Sequence, residues 1–110
     1  MAFDRTIIIG RLVERPTAFG AKAHRKSRSG VRFRIYNCAF ADGQEVRQYH
    51  DIAAFGKLAA TVYDHLDAGD LCLVEGRLAR RGLTHGPAVG YPPIMADNVV
   101  FLAKRMENGR

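Results

Sequence analysis

The chain has 110 residues, enough for one domain with a real core. Seventeen basic and 11 acidic residues give a net charge of +6, and the pI is about 9.8. That balance favours an anionic partner, nucleic acid before a membrane surface, and no apolar run approaches the ~18 residues of a membrane span.

The opening Met1-Ala2-Phe3-Asp4-Arg5 has no signal-peptide pattern, so a cytoplasmic protein is expected. From Arg5 to Val13 the run Thr6-Ile7-Ile8-Ile9 predicts a strand covered on both sides. Gly10 interrupts it, as at a bulge or a close backbone approach, and Pro16 ends it. Residues 17–30 read as a loop. It carries Lys22, Arg25, Lys26 and Arg28, which suit either a solvated segment or a phosphate-contacting arm.

Val31 to Phe40 alternates. Val31, Phe33 and Ile35 point one way, and Arg32, Arg34, Tyr36, Cys38 and Phe40 the other. Arginines followed by aromatics along one strand face suit a track that stacks bases and binds phosphates, although Tyr36 or Phe40 would also suit a subunit contact. Asp42-Gly43 is a hairpin signal, and the next strand runs from about Glu45 to Phe55. Its Arg47, Tyr49, Asp51, Ala53 and Phe55 share a face, which a two-stranded ribbon sets beside Arg32, Arg34 and Tyr36.

Gly56 breaks that strand. Lys57 to Leu66 reads as a short helix with Leu58, Ala59, Val62 and Leu66 on one side and Gly69 suited to its C-terminal cap. His65 reads as a surface residue. Leu71 to Arg81 forms the fourth strand, with Cys72, Val74 and Leu78 toward the core and Leu73, Glu75, Arg77 and Ala79 outward; Arg77, Arg80 and Arg81 continue the basic theme. Residues 82–93 form a Gly/Pro-rich loop, and Ile94 to Leu102 the last strand, with Asn98 or a bulge interrupting its alternation. Cys38 and Cys72 belong to no CxxC pair or Cys/His cluster and read as buried free thiols, not metal ligands.

Five strands with one helix between the third and fourth is the pattern of an all-β OB-fold, a small Greek-key barrel. Residues 1–104 are read as that domain and 105–110 as a polar tail. An enzyme is not expected, and neither a cofactor nor a metal is implied. There is no GxxxxGK loop and no nucleophile–base signature, and the only serines, Ser27 and Ser29, lie in the basic loop.

Four segments resemble the bacterial single-stranded DNA-binding protein family. They are Ile7-Ile8-Ile9-Gly10-Arg11-Leu12, the run from Tyr49 to Ala59 with its Phe55-Gly56-Lys57-Leu58 junction, the run from Ala68 to Leu78 with its Val74-Glu75-Gly76, and Asp97 to Leu102. The resemblance implies sequence-independent binding of single-stranded DNA, protecting it in replication, recombination and repair. It implies that Tyr49 and Phe55 stack on bases, that Phe40 is the nearest candidate for a further ring, that Leu73 lies on the DNA path, and that His50 belongs to a subunit interface of a homotetramer. With the residue reading, the expected phosphate contacts are Lys22, Arg25, Lys26, Arg28, Arg32, Arg34, Lys57, Arg77, Arg80 and Arg81, and Tyr36 is an alternative stacking ring. A nucleoid-associated location follows from such a role.

The chain departs from the family pattern in having no tryptophan, in Leu83 and His85 where a ring is expected, and in Asp51 where a basic residue is common. It ends in the basic Lys104-Arg105-Met106-Glu107-Asn108-Gly109-Arg110, where the family's acidic, partner-recruiting tip would follow. The expectation is a phage- or plasmid-like form without that tail. The alternative is a primosomal-type OB-fold module, a dimer that binds single-stranded DNA weakly and docks onto replication partners. A cold-shock-like RNA binder fits the Phe-Gly-Lys-Leu junction less well.

Overall fold

The computed structural model describes residues 5–20, 29–78 and 94–105. They form β1 (Thr6–Leu12), β2 (Thr17–Gly20), β3 (Ser29–Ala41), β4 (Gln44–Phe55), α1 (Gly56–His65), β5 (Leu71–Leu78) and β6 (Ile94–Ala103). The strand order is β1-β5-β6-β4-β3-β2, and a further β1–β3 pairing closes the five long strands into a barrel. β4 and β6 run parallel where they meet, and the other pairs are antiparallel.

The expected five-stranded barrel with a helix after its third long strand is therefore present. The sixth strand, β2, is a correction, because the residues of Thr17–Gly20 read as loop. It is a four-residue strand, opposite Ser29 to Arg32 on the same edge of β3 that β1 uses further along. Between the two, the Val13 N–H donates to the Arg34 carbonyl at 2.8 Å, so this edge of β3 stays hydrogen-bonded across the gap.

The core follows the predicted alternation. Val31, Phe33 and Ile35 of β3, Ile52 and Ala54 of β4, Cys72 and Val74 of β5 and Ile94 of β6 point into the barrel with Leu12. Ala59, Val62 and Leu66 of α1 plug one end. Each large aliphatic side chain fully buried there contributes about 1.5–3 kcal/mol. Gly10 marks a close approach, since a Cβ there would lie 2.6 Å from the Tyr36 carbonyl oxygen. The irregularity expected near Asn98 is a register shift, with Glu75 opposite Asn98 but Gly76 opposite Ala96.

Several placements differ from expectation. β1 is not covered on both sides: Ile7 and Ile9 are 59% and 48% exposed, because only one face of the strand meets the barrel interior. Leu78 is 53% exposed; it closes β5, and the inward alternation stops with Gly76. Gly69 is not the helix cap. Leu66 takes that position in an extended conformation, and Gly69 turns the chain toward β5 with φ +87°. Cys38 is exposed, because β3 has by then run past the body of the barrel, whereas Cys72 is buried.

A buried carboxylate ties the barrel's far end together. Asp70 accepts the Asp67 N–H at 2.9 Å and the Arg105 N–H at 2.8 Å, with the Lys104 ammonium 3.6 Å away. Its own carbonyl accepts the Leu12 N–H at 2.9 Å. One residue thus joins the end of β1, the turn after α1 and the segment after β6.

Candidate nucleic-acid interface

β3 and β4 pair in an unbroken ladder from Gly30 opposite Phe55 to Ala41 opposite Gln44. Side chains directly opposite each other lie on the same face, so the outer face of this hairpin is a series of rows. With β2 included they run Phe19–Gly30–Phe55, Thr17–Arg32–Ala53, Arg34–Asp51, Tyr36–Tyr49, Cys38–Arg47 and Phe40–Glu45. At ~3.4 Å per residue, the face from the Phe55 row to the Phe40 row is about 34 Å long. Its rings and cations alternate.

The tyrosine row is the centre of the face. The Tyr36 and Tyr49 ring centroids are 6.2 Å apart at 48°. The Arg47 guanidinium lies over Tyr36 at 4.2 Å from its centroid, within cation–π reach. Its pKa is raised, mainly by the neighbouring Tyr49 and Tyr36 hydroxyls. Tyr36 is half-buried and covered by Arg47, whereas Tyr49 is 53% exposed. Phe40, 78% exposed near the hairpin tip, has the most open ring among the described residues.

The predicted phosphate ligands divide. Arg32 lies 4.9 Å from the Phe19 ring. Arg34 is engaged by Asp51 opposite it, and that hydrogen bond raises its pKa further. This pair accounts for the acidic residue that fitted the sequence pattern least well. Lys57 is exposed in the first turn of α1, which has no acidic residue and no side-chain cap. Gly56 takes φ +66° to turn the strand into that helix directly after Phe55. Arg77 sits on β5, away from the hairpin, and pairs with Asp97 at 3.3 Å. Lys22, Arg25, Lys26, Arg28, Arg80 and Arg81 lie outside the described residues.

Leu73 does not join the hairpin face. Its row is Ile9–Leu73–Val100, on the outside of β1, β5 and β6. Ile7, Ile9, Val100 and Leu102 are each 40–59% exposed there. His50 is opposite Ile35, on the side of β4 away from Tyr49. Its Nε2 is shielded from solvent and has no hydrogen-bond partner among the described residues.

Arg47 was placed on this face by its parity with Tyr49 but was not among the expected phosphate contacts, and Phe19 was missed. Phe19 stands in a three-residue alternation, Thr17-Ala18-Phe19, beside a glycine and a basic run that both argued for loop.

A closed five-stranded barrel plugged by one helix, with rings and cations along one hairpin, defines an OB-fold domain. Similarity to known proteins gives the family. Residues 3–102 match the single-strand binding protein family. A single-stranded DNA-binding protein of Staphylococcus aureus strain MRSA252 is 30% identical over 113 positions, covering 96% of this chain and 69% of that protein. Single-stranded DNA-binding protein 2 of S. aureus strain COL is 28% identical, covering 96% and 77%. The crystal structure of an SSB domain from Synechococcus sp. superposes with a TM-score of 0.67 over 91% of this chain and 97% of that one, at 15% identity. The chain belongs to the single-strand binding protein family.

Proposed function

We propose that the protein binds single-stranded DNA without sequence preference along the outer face of the β3–β4 hairpin. The observation that carries this reading is the exposed Tyr49 ring in a row flanked by Arg47 and Arg34, on a strand that ends in Phe55. Every base has a π-face, so a ring platform accepts any base, and the cations meet a backbone common to all sequences. Tyr49, Phe55 and Phe40 are the stacking rings. Tyr36 holds Arg47 for a phosphate. Arg32, Arg34 and Lys57 supply further contacts, joined by Lys22, Arg25, Lys26 and Arg28. Arg77, Arg80 and Arg81 extend the path onto β5. The role is protection of single-stranded DNA in replication, recombination and repair, in the cytoplasm at the nucleoid. No cofactor takes part.

The protein works as a homotetramer in this reading. The aliphatic residues Ile7, Ile9 and Val100, exposed on one outer face with Leu73 between Ile9 and Val100, support burial against another copy.

The test is titration of labelled oligo(dT) at several salt concentrations. Binding is expected to weaken steeply with salt as counterions are released. A flat salt response, or no binding at low salt, removes the proposal. Mass measurement with and without oligo(dT) reads the tetramer; a monomer or dimer in both conditions removes that part.

A further inference from the structure

Phe19 lies at the barrel end of the hairpin face, on the short strand whose residues read as loop. It stands opposite Gly30, and Gly30 stands opposite Phe55, so the two rings flank a residue without a side chain. They reach across the glycine and meet edge to face, with centroids 5.6 Å apart at 76°. The glycine is necessary for this. A Cβ at position 30 would lie 2.6 Å from Phe19 Cζ and 2.8 Å from Phe55 Cε1.

Phe19 has a second neighbour. The Arg32 guanidinium, one row along, lies over the Phe19 ring at 4.9 Å from its centroid. An arginine on a ring face is attracted by the ring's quadrupole, and its planar group is held in one orientation. An aliphatic residue at position 19 would cover Phe55 but would offer Arg32 no such surface. The same arrangement recurs at the tyrosine row, where Arg47 lies over Tyr36 beside Tyr49. In both places an arginine lies close over one ring of a pair; at the tyrosine row Arg34 is also 6.0 Å from the Tyr49 centroid, farther than Arg47 is from Tyr36.

We propose that Phe19 is a positioning residue of the nucleic-acid face, holding the Phe55 ring and the Arg32 guanidinium as one unit that takes a base and an adjoining phosphate together, with Gly30 providing the clearance. The inference rests on the reading of this face as the single-stranded DNA site. Phe19 itself need not touch DNA. Its effect passes through Arg32 and Phe55, so losing it removes a stacking contact and a counterion-releasing contact at once.

The experiment measures oligo(dT) affinity against salt for the wild type, Phe19→Leu, Arg32→Lys, the double variant and Phe19→Tyr, with Tyr49→Ala as a control on the site. Phe19→Leu keeps apolar cover over Phe55, and a urea midpoint near the wild-type value confirms that it folds. It is expected to weaken binding roughly three- to tenfold and to flatten the log–log salt slope by up to about 0.7, the loss of one phosphate contact. Arg32→Lys, which loses the planar stack, is expected to weaken wild-type binding but to have little further effect when added to Phe19→Leu. Phe19→Tyr retains the ring and is expected to recover most of the affinity. Unchanged affinity and slope in Phe19→Leu, or fully additive effects in the double variant, overturn the proposal. Should Phe19→Leu fail to fold, Arg32→Lys and Phe19→Tyr decide: wild-type binding by Arg32→Lys, or a Phe19→Tyr variant that folds but binds poorly, overturns it. If the wild type and Tyr49→Ala bind alike while Phe19→Leu is weakened, the assigned role of Tyr49 fails and that of Phe19 stands. If the wild type does not bind oligo(dT), both fail.

Discussion

Asp51 grips Arg34 with both carboxylate oxygens across the β3–β4 ladder, Nε to Oδ1 at 2.6 Å and Nη2 to Oδ2 at 3.2 Å. The acid sits in the middle of a basic face and neutralises one of its cations. A paired arginine has to give up its carboxylate before it can meet a phosphate. Asp51→Asn is therefore expected to tighten oligo(dT) binding several-fold and to steepen the salt slope by about 0.7. Arg34→Ala should alter the slope less than Arg47→Ala does. An unchanged slope in Asp51→Asn would sink this account.

The two tyrosines of the central row are predicted to behave differently. Tyr49 is the open platform, and Tyr49→Ala should cost about 1–3 kcal/mol of binding with little change in salt slope, since no charge is lost. Tyr36→Ala should instead flatten the slope, because Arg47 loses the ring it lies on. Fluorescence titrations at several salt concentrations separate the two patterns. Identical slopes for both variants would show that Arg47 does not depend on Tyr36.

Burial, aided by the nearby Asp70 charge, pushes the Cys72 thiol from its ordinary 9.0 up to about 12. Above pH 9 the unfolded chain loses a proton that the folded protein keeps. The thiol's contribution to stability is thus complete below pH 9 and declines as the pH rises toward 12, by up to about 1.4 kcal/mol per pH unit. Urea midpoints between about pH 9 and 11 should fall more steeply for the wild type than for Cys72→Ala. Parallel slopes would refute it.

Asp70 accepts from two backbone N–H groups, those of Asp67 and Arg105. Asp70→Ala should lower stability by about 2 kcal/mol, from two part-buried donors at the lower end of ~1–3 kcal/mol each. Asp70→Asn, which keeps one carbonyl oxygen, should lose less. Urea unfolding checks both, and a loss under about 1 kcal/mol in Asp70→Ala would show that water or neighbouring chain takes over those donors.

Much of this fold was open to reading from the residues. The alternation of Val31, Phe33 and Ile35 against Arg32, Arg34 and Tyr36 assigns the two faces of β3 correctly, because a half-buried strand imposes period two. Helix α1 was legible from Leu58, Val62 and Leu66. What escaped had weak local signals or depended on pairing. β2 is four residues long, and its hydrogen bonds go to a strand that begins only at Ser29, so nothing within Thr17–Gly20 announces it. Leu78 kept the right parity, but burial also depends on where the barrel ends. The role of Asp51 was nearer to hand: a two-residue turn at Asp42–Gly43 sets Ala41 opposite Gln44 and thereby Arg34 opposite Asp51.

That turn reaches further than its two residues suggest. Asp42 and Gly43 both have positive φ, 54° and 79°, a combination that glycine and aspartate tolerate and most residues resist. The whole outer face is assembled by this one link, since all its rows but the contribution of β2 come from the two strands it joins. Adding or deleting a single residue there would slide β4 by one place against β3. Tyr49, Arg47 and Phe55 would then point away from Tyr36 and Arg32, with no change to any of the rings or cations themselves. The length of the turn is thus inherited information about the site, and a relative with a turn one residue longer could carry the same side chains and lack the surface they make here.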